Sequence, residues 1–475
     1  TTQLKVQYND AGQMTLNARY APSSGAENGL VMTGSDLFVS KPYGLLLQTD
    51  AISSCTADIS CPLYPGGVRA GDPFSLRLKA VAWQSDGEAL TAAALADNPA
   101  TPNFRLNNIA LSSQVQAPSG GSNGTLGLTS YSHALGNQTT LSSQSISDVG
   151  VFALTATPVP GSYFGETVSG GTSGLVGRFA PDYFDVQISQ YEAEECVPGG
   201  GTPALFVYAG LHDALPTLIK AGQPFLFSGS VTALNAVGAE TRNYDKALGF
   251  SRLEGGSVSI DDYVGAPPAP LTPAADGVAL ISNTLSFDHA VSAITVSGEP
   301  TYQFNAPRAA YMVSLIAGVT DADLVTGSSV QTAALDFRLG QARIANAHGS
   351  ELQDLFLPFT AAYFNGSGYV ANQLDNCTVF KPASLGPYQR TGPGSGTPAL
   401  VSEPYQATVG TGSYHLSAPG ENSSGSALLT YDATPGWLKF DWDGDGALDN
   451  ASGLATFGIY KGAAPLIFRR EIYGQ

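Results

Sequence analysis

The phrase AGDPFSLRLKAV at 70–81 is answered by AGQPFLFSGSVTAL at 221–234. DLFVSKPYGL (36–45) is answered by DYFDVQISQY (182–191), and TPNF (101–104) by TRNY (241–244). Cys55 and Cys196 hold matching places between the first two pairs. The pairs keep their order at offsets between 140 and 151 residues. Ordered matches at nearly one offset imply two tandem copies of one folded unit.

The units read as β domains. FSLRLKAVAW alternates, with Phe74, Leu76 and Leu78 on one face and a shift near Ala80. FLFSGSVTAL puts Phe225 and Phe227 in step, with a glycine where a bulge can sit. QLKVQY (3–8) also alternates. With 55 glycines, 30 prolines and only 13% charged residues, the chain fits many short strands joined by turns. EALTAAALAD (88–97), stopped by NPATP, is the best helix candidate. Segments 115–124, 265–276 and 391–398 read as loops or linkers.

A further echo joins DAGQMTLNA (10–18) to DVGVFALTA (148–156). Its Asp-x-Gly start resembles the turn before a late strand of immunoglobulin-like sandwiches. In the second case it closes a unit; in the first it opens the chain. Residues 1–20 are therefore expected to be tail strands of an upstream repeat, or a strand added to the first domain or to another chain. The expected fold is all-β: tandem immunoglobulin-like sandwiches at 21–175 and 176–335, then a C-terminal β domain with an acidic loop at 336–475.

LGQARIANAHGSELQDLFLPFTAAYFNGSGYVANQLDNCT (339–378) and ATFGIYKGAAPLIFRREIY (455–473) resemble the C-terminal region of MshQ-like proteins. GRFAPDYFDV (177–186), AGQPF (221–225) and TRNYDKALGF (241–250) fit the same resemblance. Those proteins go with the mannose-sensitive haemagglutinin class of type IV pili in Gram-negative bacteria. The resemblance implies an exported surface protein tied to pilus systems, and it brings no catalytic residues with it.

The net charge of −18 repels phosphate backbones, which argues against a nucleic-acid partner. No apolar run reaches the length of a membrane span, and any export signal is expected upstream or removed. Four cysteines in an exported chain imply two disulfides. Proximity pairs Cys55 with Cys61, and elimination leaves Cys196 with Cys377. The expected partners are a pilus or other surface protein, copies of the chain itself, or a surface glycan.

Enzyme signatures are weak. His133, His212, His289, His348 and His415 show no tight metal spacing and read as loop or surface residues. Asp288–His289 and His212–Asp213 are adjacent pairs, which in a strand would face opposite ways. GGSNG (120–124) matches the nucleophile pattern around Ser122, but a Gly/Ser loop surrounds it where an elbow needs strand and helix. Glu194–Glu195 and Asp261–Asp262 could serve as carboxylate pairs only at the right separation. A glycan-binding platform needs exposed aromatics; there are three tryptophans, and Trp83 falls in a core-patterned strand. Tyr388 in GPYQR (386–390) is another aromatic candidate. The expectation is a non-enzymatic structural or adhesive protein. The alternatives are a filament subunit built by strand exchange and a carbohydrate-binding or glycan-active protein.

One stretch asks for a ligand. DWDGDGALDN (441–450) places Asp441, Asp443 and Asp445 at positions 1, 3 and 5 of a calcium-loop pattern. Gly446 takes position 6, the Ala447 carbonyl position 7 and Asp449 position 9. Ser452 stands where the bidentate glutamate belongs. Crowded carboxylates repel, and a divalent cation relieves that. The expectation is one structural calcium ion, held at about 10⁻⁴–10⁻³ M as in extracellular modules. The rival reading is a hairpin turn with solvated carboxylates.

Overall fold

The repeated phrase forms the same element twice. Phe74–Val81 is the middle strand of a three-stranded sheet, between Gly44–Gln48 and Thr139–Gln144. Phe225–Leu234 is likewise the middle strand of three, between Tyr183–Ala193 and Val291–Ala293. The alternation explains both. Phe74, Leu76, Leu78 and Ala80 are buried, and Val81 joins them where the period shifts. In the second copy Phe225, Phe227, Val231 and Ala233 are buried. The glycine of that strand, Gly229, lies where the ladder slips around Ser189 of the neighbouring strand. A Cβ there would come within 2.5 Å of the Gln187 carbonyl oxygen.

This computed structural model describes residues 6–51, 54–195, 204–214, 217–253, 255–263, 277–401 and 405–458. In the first sandwich the facing sheet joins Val176–Phe179, Gly150–Thr157, Leu106–Ala117 and Ser130–His133. Phe152, Leu154 and Ala156 point from it into the core. In the second, the facing sheet holds Ser259–Tyr263, Tyr311–Thr320 and Thr326–Ile344, with Val207–Ala214 paired parallel to the last. Most of the described buried apolar side chains of the two sandwiches form one contiguous cluster, with Leu46, Val81 and Leu95 in a small one apart. A second cluster fills the C-terminal domain around Phe359, Phe380 and Tyr414, with the two phenylalanine rings stacked 4.1 Å apart.

The strand Thr326–Ile344 is 19 residues long and belongs to two domains. Its first part pairs with Tyr311–Thr320, and Gly340 to Ile344 pair with Leu355–Phe364 of the C-terminal domain. One strand thus carries the backbone ladder across the boundary.

Gly12–Tyr20 pairs with Met32–Ser40 in a two-stranded sheet of its own. Of the alternatives for residues 1–20, this sheet is not joined to those of the first sandwich. The pairing Gly12 to Ser40 mirrors Gly150 to Phe179, as the Asp-x-Gly echo implies. Leu16, Tyr20, Met32 and Phe38 lie on one face and stay exposed. Of QLKVQY, residues 3–5 lie outside the described residues, and 6–8 form no strand.

Two expectations about the first sandwich fail. Residues 88–97 form turns, not a helix. Only the Leu95 N–H to Thr91 carbonyl bond has helical spacing there, and a single turn cannot repay helix nucleation. Leu95 packs instead with Leu46 and Val81. Trp83 lies beyond the end of its strand and is 55% exposed. Of the loop readings, 391–398 holds, 115–117 completes the strand Leu106–Ala117, and 265–276 lies outside the described residues.

Candidate functional site

Phe440 and Asp449 exchange backbone hydrogen bonds and close the acidic loop as a hairpin. Gly444 and Gly446 turn it with φ of +78° and +87°, values an L side chain rarely adopts. The Asp441 carboxylate sits inside the turn. Its Oδ1 accepts the Gly444 N–H at 2.7 Å, and its Oδ2 accepts the Gly446 N–H at 3.0 Å. Asp449 accepts the Trp442 N–H at 3.1 Å. One oxygen each from Asp441, Asp443 and Asp449 falls within 4.8 Å of the others. Asp445 stands outside this trio, and its Oδ1 accepts the Ala447 N–H at 2.8 Å. Ser452 opens the next strand. An all-oxygen set of three carboxylates suits a hard divalent cation. Beside it Trp442 is 42% exposed, edge-on to Phe440 at 5.0 Å, which in turn meets Tyr369 at 5.4 Å.

The two Asp-x-Gly turns have a shared task. Asp10 Oδ1 accepts the Ala11 N–H at 2.7 Å and the Asn103 N–H at 3.0 Å. Asp148 Oδ1 accepts the Val149 N–H at 2.9 Å and the Asn243 N–H at 3.0 Å. Asn103 and Asn243 are the matching asparagines of TPNF and TRNY. Each aspartate thus clasps the unit that follows it. The second clasp is the more elaborate. Asn243 Nδ2 donates to the Ser122 and Val149 carbonyls, and Oδ1 accepts the Ser122 N–H at 2.6 Å. Ser122, rejected as a nucleophile, is here a structural contact. Asp148 is 4% exposed, and burial raises its carboxyl to about 6 despite the Asn243 and Val149 N–H groups and Arg242.

A buried ion pair spans the same joint. Arg178 holds Asp323 through Nη1 at 2.5 Å and Nη2 at 2.8 Å, and its Nε donates to the Cys61 carbonyl. Arg252 lies 3.6 Å from the same carboxylate. Burial would raise the Asp323 carboxyl, but the Arg178 bonds, with Arg252 and Arg69 nearby, outweigh it and hold it below the usual range. Sequence reasoning missed this pair; nothing marks residues 145 positions apart as partners.

The remaining candidates scatter. Glu194 and Glu195 line a cleft of about 200 Å³ with Gln223, Cys377, Tyr431 and Trp437. Asp262 is buried against the Tyr302 hydroxyl, and burial raises its carboxyl to about 6. Tyr388 is half-buried and donates to the Ser423 carbonyl at 2.6 Å. Of the histidines read as loop or surface residues, His212, His289 and His348 are exposed and His415 is half-buried, whereas His133 departs from that reading. His133 is buried beside Phe104 and Tyr131, and burial lowers it to about 4. Asp288 and His289 share a turn and touch, contrary to the opposite-face expectation. Cys55 and Cys61 are bridged. No described cysteine is free, and Cys196 lies outside the described residues.

Four domain models of one family match in chain order. They are the first, immunoglobulin-like domain at 1–35, the second at 41–144, the third at 148–341 and the fourth at 338–472. The chain belongs to the DUF6701 family. Each model describes a domain of unknown function, and none describes an enzyme. The third begins at Asp148, the clasp residue, and the last boundary falls inside the strand Thr326–Ile344. No curated protein matches the chain. Among solved structures, a segment of titin domains I67–I69, an E-to-A variant, matches at 9% identity. That likeness covers 88% of this chain and 100% of the titin segment at a TM-score of 0.23, too low to equate individual elements. The chain is all-β, with tandem immunoglobulin-like sandwiches followed by a C-terminal β domain. Among the described residues no helix is long and apolar enough to cross a membrane.

Proposed function

We propose that the chain is a non-enzymatic structural or adhesive component of an exported, pilus-associated surface assembly. The observation that carries the reading is the joint between the two sandwiches. A buried aspartate clasp, a buried ion pair and one contiguous apolar cluster join them. Most interdomain contacts within a chain are polar and permit motion. A joint this dry suits a stiff spacer that presents its loops at a distance. The resemblance to MshQ-like proteins supplies the pilus and the Gram-negative cell surface. The reading includes one structural calcium ion on Asp441, Asp443 and Asp449, with waters completing the shell and Asp445 held beside them by the Ala447 N–H.

The test is made on cells of the native host. A reagent that cannot cross membranes should label the protein on intact cells, and it should co-purify with sheared pili. Its deletion should reduce attachment to surfaces. Protein confined to the cytoplasm, or pili that carry none of it while attachment is unchanged, would sink the proposal.

A second reading, strand exchange into a filament, is favoured by the two-stranded sheet at 12–40 with its exposed apolar face. Rod growth with protein concentration, seen by electron microscopy, would select it. Glycan binding has its own support in Trp442, exposed among carboxylates that can accept sugar hydroxyls.

A further inference from the structure

Asp288–Val291 is a tight turn closed by reciprocal backbone bonds, Asp288 N–H to the Val291 carbonyl at 2.8 Å and Val291 N–H to the Asp288 carbonyl at 3.1 Å. Its inner residues, His289 and Ala290, have φ of +47° and +77°. Asp245 holds this unusual backbone: its Oδ2 accepts the His289 N–H at 2.8 Å, and its Oδ1 accepts the Leu248 N–H at 3.0 Å. The turn thereby brings the imidazole to both carboxylates. His289 Nδ1 lies 2.5 Å from Asp288 Oδ1 and 3.5 Å from Asp245 Oδ2. One ligand atom from each of the three residues falls within 4.8 Å of the others.

The set differs in kind from the acidic loop. Calcium and magnesium take oxygen ligands, whereas imidazole with carboxylates suits zinc and its neighbours. Zinc bonds these donors at about 2.0–2.2 Å, so tetrahedral ligand atoms lie roughly 3.3–3.6 Å apart. The His289 to Asp245 separation already fits. Asp288 is 87% exposed at its side chain, so it can move outward from its hydrogen bond. Asp245 is buried and fixed. The trio lines a cavity of about 270 Å³, which the loop 120–122 of the first sandwich and Arg242 and Asn243 of the second complete. The cavity leaves room for a water as fourth ligand.

We propose that Asp245, Asp288 and His289 bind one zinc-class divalent ion at the joint between the two sandwiches. The ion ties the Asp288 turn to the 241–248 segment, which carries the clasp residue Asn243.

The test uses the full chain, stripped with a chelator and titrated with zinc chloride by calorimetry. Excess calcium occupies the acidic loop at 441–449 throughout. His289→Gly keeps the turn, because glycine accepts φ of +47° without penalty. Wild type should take up one zinc, with affinity reduced at least tenfold in His289→Gly and weakened in Asp288→Asn. Zinc should raise the melting temperature of the wild type and not of His289→Gly, while the two melt alike when no zinc is added. Absence of zinc uptake, or uptake by His289→Gly equal to wild type, would overturn the proposal.

Discussion

Asp148→Asn isolates the physics of the joint. The asparagine keeps an oxygen for the Val149 and Asn243 N–H groups and removes the buried charge. In the folded chain burial raises the Asp148 carboxyl to about 6, against an ordinary value of 3.8. A carboxyl whose folded pKa is raised contributes stability that is fully present below the unfolded value and is lost as pH climbs through the folded one. Each pKa unit corresponds to about 1.4 kcal/mol, so Asp148 should remove roughly 3 kcal/mol of stability between pH 4 and 7. The variant should match wild type at pH 4 and exceed it by up to that amount at pH 7. Asp262, raised to about 6, pulls the same way, and His133, lowered to about 4, pulls the other. The difference between variant and wild type cancels both. Urea denaturation of the full chain at several pH values measures it. A difference that stays flat with pH would refute the reasoning. So would a variant less stable than wild type at pH 7, because the ionised carboxylate would then be stabilised by Arg242 more than burial penalises it.

Arg178→Met should cost about 3–5 kcal/mol, the usual penalty for stranding one partner of a buried ion pair, with Arg252 nearby pulling the value toward the lower end. Adding Asp323→Leu should recover most of that loss, and urea midpoints of the single and double variants decide it. Calcium should raise the melting temperature of the C-terminal domain in proportion to the logarithm of its concentration. Asp441→Ala should abolish the rise, and Asp445→Ala should reduce it less, because Asp445 stands outside the trio of carboxylates. Calorimetry that shows equal losses for the two would place Asp445 in the coordination shell.

What could be read beforehand follows from the range of each interaction. Alternation in FSLRLKAV and FLFSGSVTAL depends on neighbours two residues apart, so strand identity and face were legible. The repeat offset carried the tandem architecture, because two copies of one pattern fold alike. Residues 88–97 misled because alanine favours a helix in isolation, whereas here Leu95 is drawn into a small core with Leu46. Trp83 misled because the alternating pattern ran past the strand end. The clasp was half legible. The Asp-x-Gly echo and the TPNF/TRNY echo each stood in the sequence. That Asp148 binds Asn243, 95 residues on, needed the fold. The turn at Asp288 carries neither glycine nor asparagine at its two left-handed positions, so no local signal marks His289 as a ligand.

The two boundaries resist bending by different means. At the second, Thr326–Ile344 passes from one domain to the next without leaving its ladder. Bending there must break backbone pairing with Tyr311–Thr320 or with Leu355–Phe364. At the first, the tie is a set of side chains that the fold has taken out of water. Asp148 loses hydration it would regain on opening, and its raised carboxyl is the measure of that loss. The ion pair of Arg178 and Asp323 likewise pays desolvation that opening returns. Load along the chain should therefore open the first joint before the second. A proton on Asp148 shifts the first joint directly, because the Asp148 carboxylate accepts the Asn243 N–H across it. Both boundaries thus resist bending, and the first differs in being tied by buried side chains whose strength a proton on Asp148 alters.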